Sequence, residues 1–158
     1  MAADAGLSTL GIKFGYGVGS LTQKPSAFKQ LERVNSIGAI SLSTEQIDAS
    51  ALEDKVSKYV AGRQDTGGTW EVTFNISDSV ATQLHAMIEE YQGMSGEQKM
   101  WFTVWSEGME NAFYVIAQVP ETIGMPDISQ NALMTVSMTF TIEEYKGLDT
   151  AIEPTAQA

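Results

Sequence analysis

The chain has 158 residues, enough for one domain that buries a core without covalent staples. It contains no cysteine, which excludes disulfide scaffolds, thiolate metal sites and cysteine nucleophiles. Its formal charge of −11 is uneven: residues 1–63 hold seven bases and six acids, and residues 64–158 hold two bases and fourteen acids, so the second half repels a polyanion instead of gripping it.

Residues 1–23 are rich in Gly, Ser and Ala, with "GYGVGS" at 15–20. They predict a flexible N-terminal arm that orders on meeting a partner. The first residues lack a basic region followed by a long apolar core, and no stretch reaches the length of a membrane span. The expectation is a soluble, non-secreted protein with no membrane partner.

"RVNSIGAISLST" (33–44) carries a short β-type run around Ile37, Ala39, Ile40 and Leu42. Residues 44–68 are mostly polar and too long for a plain connection, so they predict a long functional loop. "TWEVTFNI" (69–76) alternates Trp70, Val72, Phe74 and Ile76 with Glu71, Thr73 and Asn75, which predicts a strand. In "SDSVATQLHAMIEEYQG", Val80, Leu84, Met87, Ile88 and Tyr91 recur at helical spacing. Asp78 or Ser79 is placed to cap that helix and Gly93 to end it.

"KMWFTVWSEGMENAFYVIAQV" (99–119) predicts two strands around a turn near Glu107 and Gly108. Both faces are largely apolar, so both need cover: the core on one side, and the helix, the arm or another subunit on the other. Residues 120–132 connect to "LMTVSMTFTI" (133–142). There Met134, Val136, Met138, Phe140 and Ile142 alternate with Thr135, Ser137, Thr139 and Thr141. The tail from 147 to 158 predicts disorder. The sum is a mainly β domain over 24–146, a small sandwich or barrel of antiparallel sheets with one flanking α-helix.

Catalytic sets are missing. His85 is the only histidine and sits on the helix flank, without the partners of a relay or a histidine metal cluster. "GYGVGS" lacks the third glycine of a dinucleotide turn, and no helix opens after it. "SAFK" (26–29) matches Ser-x-x-Lys without its companion motifs. The pairs Glu53-Asp54, Glu89-Glu90 and Glu143-Glu144 are sequence neighbours, which point apart on a strand and do not share a helix face. "NIS" (75–77) matters as a glycan acceptor only in a secreted chain. The residues therefore predict no enzyme and no cofactor. They leave two readings open: a protein that assembles with copies of itself, and a small ligand-binding β-barrel using some of its three tryptophans and five tyrosines. Core placement of Trp70, Trp101 and Trp105 is favoured over a pocket.

The order of elements over 33–147 resembles the major tail tube proteins of long, non-contractile-tailed bacteriophages. An acidic segment with Ser and Ala ("IDASALED") comes first, then an aromatic before glycine ("KYVAGRQDTGG"), a strand with an aromatic ("TWEVTFN") and a helix. Strand, turn, strand, connection, final strand and glycine follow. One departure lies behind "AFYV", where Ile116 and Ala117 stand in place of a frequent glycine. The resemblance does not fix the strand register there.

The resemblance implies a fold of two packed sheets with one helix. It implies stacked hexameric rings forming a tube that conducts DNA, with other tail proteins as partners, and a place in the virion after synthesis in the host cytoplasm. Needle-tube proteins of bacterial secretion or contractile machines are the nearest alternative. A wall of acids and small hydroxyls suits a bore that a polyanion slips past. Glu71, Thr73, Asn75, Thr135, Ser137, Thr139 and Thr141 are the lumen candidates; the other reading is an ordinary solvated sheet face. Leu52, Glu53, Asp54, Lys55, Val56, Lys58, Tyr59, Val60 and Arg63 are the candidates for contact between rings or subunits, since apolar anchors with paired charge suit interfaces.

Overall fold

The computed structural model describes residues 10–156. Nine strands and one helix follow in order: β1 Lys13–Ser20, β2 Lys29–Leu31, β3 Val34–Ile37, β4 Ser43–Asp48, β5 Tyr59–Asp65, β6 Thr69–Asn75, α1 Asp78–Gln92, β7 Gln98–Trp105, β8 Asn111–Gln118 and β9 Thr135–Thr150. They form two antiparallel sheets. One has seven strands in the order β2-β1-β7-β8-β9-β6-β3, and the other is the hairpin β4-β5.

Strand β9 sets the architecture. Its first half pairs with β6 (Trp70 opposite Phe140, Val72 opposite Met138). Its second half pairs with β8 (Phe113 opposite Leu148, Asn111 opposite Thr150). The register slips at Tyr114/Val115 and again at Ile116/Ala117. Such bulges bend a strand and increase its twist, and the second falls where the sequence departs from the family pattern. The seven-stranded sheet thus folds over on itself. Phe14 of β1 meets Trp70 at 5.5 Å and Phe74 at 6.1 Å between ring centroids, and Phe102 of β7 meets Phe140 at 4.7 Å. The sheet stays open because β2 and β3 are neighbours in sequence but not in the ladder.

Helix α1 packs Val80, Leu84, Met87 and Ile88 into this core. Its cap is Ser77, one residue before the expected Asp78 or Ser79: the Ser77 hydroxyl accepts from the Val80 N–H. Gly93 ends the helix as expected, donating its N–H to Glu89 O.

The structure corrects three expectations. Residues 13–20 of the expected arm are a strand between β2 and β7; residues 1–9 lie outside the described part. The glycines of "GYGVGS" mark a close approach, not flexibility. Phe14, Tyr16 and Val18 face the core, while Gly15, Gly17 and Gly19 face a crossing segment of chain. A Cβ on them would lie 2.8 Å from Pro154 Cβ, 2.7 Å from Ala27 O and 2.5 Å from Gln23 O respectively. The expected loop 44–68 is the hairpin β4-β5, returned to the body by the left-handed pair Gly67 (φ 88°) and Gly68 (φ 82°).

Up to residue 156 the expected disordered tail is β9 out to Thr150 and then a strap; residues 157 and 158 lie outside the described part. In the strap, Thr155 donates its N–H to Phe28 O and accepts from Gln30 N–H, so this segment pairs with β2. Strap and β1-β2 connection also answer what covers the second face of β7-β8. Trp101, Ala112, Tyr114 and Ile116 pack with Phe28, Ala151 and Ile152 of the same chain. The Tyr114 hydroxyl donates to Thr150 O at 2.6 Å and accepts from the Ile152 N–H at 3.0 Å.

Candidate functional site

Two surfaces carry the sequence-predicted residues. The first is the outer face of β6-β9. The ladder sets Glu71 opposite Thr139, Thr73 opposite Ser137 and Asn75 opposite Thr135, with Thr141 opposite Thr69. Paired residues share a face, so all seven lumen candidates lie together on one side of two strands. The other side buries Trp70, Val72, Phe74, Val136, Met138 and Phe140. Met134, expected on the apolar face, precedes β9 and is exposed.

The polar face is knitted by short side chains. Thr73 Oγ1 and Ser137 Oγ share a hydrogen bond of 3.0 Å, and Asn35 Nδ2 donates to Asn75 Oδ1 at 2.7 Å. Glu71 is the one charge among the seven residues. Two lysines elsewhere on the sheet are neutralised: Lys99 pairs with Glu143 and Lys146 with Glu144. The face therefore presents acceptors and hydroxyls; at its edge Arg33, whose carbonyl accepts the Asn75 N–H at 2.8 Å, is an exposed cation that forms no ion pair among the described residues.

The second surface is the hairpin β4-β5. Ile47 opposes Val60 on one face; Asp48 opposes Tyr59 on the other. Every residue of β4 is exposed, and so is β5 apart from Gly62. Leu52, Glu53, Lys55, Val56, Lys58, Tyr59, Val60 and Arg63 all lie in solvent, with Asp54 half-buried. Asp54 is occupied in shaping the turn. It accepts the Ala51 N–H at 2.8 Å and pairs with Lys58 at 3.3 Å. Asp48 accepts the Ser50 N–H, and hydrogen bonds from Ser50 hold its carboxyl below the usual range. Ser50 Oγ accepts the Lys58 N–H at 2.7 Å. The turn is thus built, while its apolar side chains are left uncovered. The structure brings the nine contact candidates onto one projection.

Sequence reasoning missed a third cluster. The connection from β8 to β9 exposes Met125, Ile128 and Leu133. Its apolar residues follow neither helix nor strand period, so pattern reading passed over them.

An apolar groove of about 780 Å³ opens between β1, β3 and β8, lined by Phe14, Ile37, Ile40, Trp70, Phe113 and Tyr145 among others. It holds no carboxylate, cation or histidine. Among the described residues no three of His, Cys, Asp and Glu gather as a metal site, and no helix is long and apolar enough to cross a membrane. His85 is exposed on α1, 3.0 Å from Glu89. Tyr16 is perturbed: burial, then the Glu90 carboxylate beside it, pushes its phenol up to about 12. It sits in the core between β2 and β7, away from the groove lining.

No curated protein matches the chain. Among solved structures, a chain of the anti-feeding prophage baseplate, 6-fold symmetrised, superposes with a TM-score of 0.53 at 9% identity, covering 92% of this chain and 96% of that one. A chain from the tail of an empty GTA particle, refined helically with C6 symmetry, gives 0.54 at 15% identity, covering 89% and 94%. At these identities the likeness is one of fold. A family model described as phage tail tube, lambda-like, matches residues 18–148. It runs from within β1 to within β9, spanning the hairpin and the helix, and the chain belongs to the lambda-like phage tail tube family.

Proposed function

We propose that copies of this chain form rings that stack into the tube of a long, non-contractile phage tail, and that DNA passes along the bore without specific binding. The family makes the chain a structural tail tube protein, hence a virion component, and not an enzyme. Six copies to a ring is the count suggested by the symmetry of both structural neighbours. Synthesis takes place in the host cytoplasm, and other tail proteins start and cap the tube.

The observation that carries this reading is the hairpin β4-β5. An isolated two-stranded hairpin is marginal in water. This one exposes Ile47, Leu52, Val56, Tyr59 and Val60, an apolar surface that a neighbouring copy would cover. In this reading the hairpin makes the contact between rings. Removing residues 48–62 leaves a folded monomer that forms no tube in negative-stain images of concentrated protein. Tubes of normal length from that variant reject the reading.

The face of β6-β9 that carries the seven candidates, none of them a cation, is the proposed bore. Thr139→Lys places a phosphate contact at its centre, opposite Glu71. Particles carrying it assemble and eject DNA more slowly, most of all at low salt. An unchanged ejection rate moves the bore to another face. The apolar groove is the observation that would favour a small-ligand barrel, and a saturable change in tryptophan fluorescence with an apolar ligand would be its signature.

A further inference from the structure

We infer that the surface receiving the hairpin is the β8-β9 connection of a second copy, residues 120–134. This rests on the reading of the hairpin as the contact between rings and adds the other half of that contact.

Charge bookkeeping points to it. Among the described residues, Lys13, Lys24, Lys29, Lys58, Lys99 and Lys146 each pair with a carboxylate of their own chain. Arg33, Lys55 and Arg63 are the cations that form no ion pair, and two of these three stand on the hairpin. Apart from Arg33, the body has neutralised its own cations; the hairpin keeps two, set beside acids of its own such as Glu45, Glu53 and Asp65. The hairpin mixes both signs; the connection is acidic only. It carries Glu121 and Asp127, no lysine and no arginine, and neither acid forms an ion pair among the described residues.

Apolar exposure selects the same segment. Other exposed acids, such as Glu97 and Glu107, lie in turns without large exposed apolar neighbours. The connection sets its two acids beside Met125, Ile128 and Leu133, which are 87%, 66% and 66% exposed. Leu52 and Val56 at the hairpin turn are as fully in solvent as these, so hairpin and connection do not cover each other within one molecule. A second copy supplies each with the other. Apolar anchors then give affinity, and Lys55 and Arg63 set register against Glu121 and Asp127. The two patches differ, so the contact is heterologous and propagates as an open stack instead of closing as a dimer.

The cysteine-free sequence makes the test clean. Leu52→Cys or Val56→Cys is combined in one chain with Met125→Cys or Ile128→Cys, giving four pairings, and assembled tubes are oxidised. A ladder of covalent multimers on a non-reducing gel is expected from at least one pairing, and none from single substitutions. Tubes that form without a ladder in all four pairings overturn the assignment. So does a ladder obtained instead when Ile40→Cys in the apolar groove replaces the connection partner. A second measurement guards against variants that fail to assemble. Lys55→Glu with Arg63→Glu raises the protein concentration needed for tubes about tenfold, and adding Glu121→Lys with Asp127→Lys restores it. Absence of rescue rejects the pairing. Normal assembly by the hairpin-deleted chain is a different failure, because it removes the hairpin from the contact altogether.

Discussion

The molecule contains two long hairpins with opposite fates. β7-β8 is covered on both faces by its own chain: Phe102 and Val115 lie in the main core, and Trp101, Tyr114 and Ile116 lie under Phe28 and the C-terminal strap. β4-β5 is covered on neither face. Both have apolar residues, so composition does not separate them. What separates them is connectivity. β7-β8 sits between β1 and β9 in a sheet of seven, whereas β4-β5 pairs with nothing else. Burial of β7-β8 is complete within one chain, and β4-β5 is left exposed by it.

The largest expected effect is at the inner face of β7. Phe102 is fully buried and meets Phe14, Trp70 and Phe140 at 5.6, 6.2 and 4.7 Å between ring centroids. Phe102→Ala leaves a cavity where the two layers meet and costs about 3–5 kcal/mol, read as a fall in the denaturant midpoint with an unchanged slope. A loss under about 1 kcal/mol would mean that the layers do not close over this ring.

The outer face gives a smaller effect. Tyr114→Phe keeps the ring under Phe28 and removes only the hydroxyl that links Thr150 O to the Ile152 N–H. The Ile152 N–H loses its partner while Thr150 O keeps the Lys24 ammonium at 2.9 Å, for a cost of about 1–3 kcal/mol. Faster hydrogen exchange confined to residues 150–156 is the accompanying signature. Exchange spread evenly over the domain would show that the strap is no separate cover.

The same contrast explains what sequence reading reached. The strands with a strict period of two, 69–75 and 135–141, and the helix with its 3.6-residue period were legible because one face of each meets the core. Paired strands then placed all seven polar candidates on one face. The glycine-alternating strand β1 was not legible. Its glycines reflect the chain crossing over it at Ala27 and Pro154, a tertiary fact with no local period. The strap was missed for a related reason: "AIEP" reads as polar tail, yet Pro154 is buried against Gly15 and Ile152 joins the second cluster. The hairpin β4-β5 has no legible strand period, because a strand pair with no buried face need not alternate.

The smallest effect on the monomer belongs to β4-β5 and is the sharpest discriminator between the two hairpins. Val60 opposes Ile47 across the ladder, and both are more than half exposed. Val60→Ser removes two methyl groups from a surface that water already reaches, so monomer stability changes by less than about 0.5 kcal/mol. The same substitution removes one of the apolar anchors a neighbour would cover, so the concentration needed for tubes rises while the denaturation midpoint stays put. Stability and assembly thus respond in opposite order at Phe102 and Val60. If Val60→Ser instead lowered the midpoint as Tyr114→Phe does, the hairpin would already be covered within the single chain. Its apolar face would then no longer be reserved for a second copy.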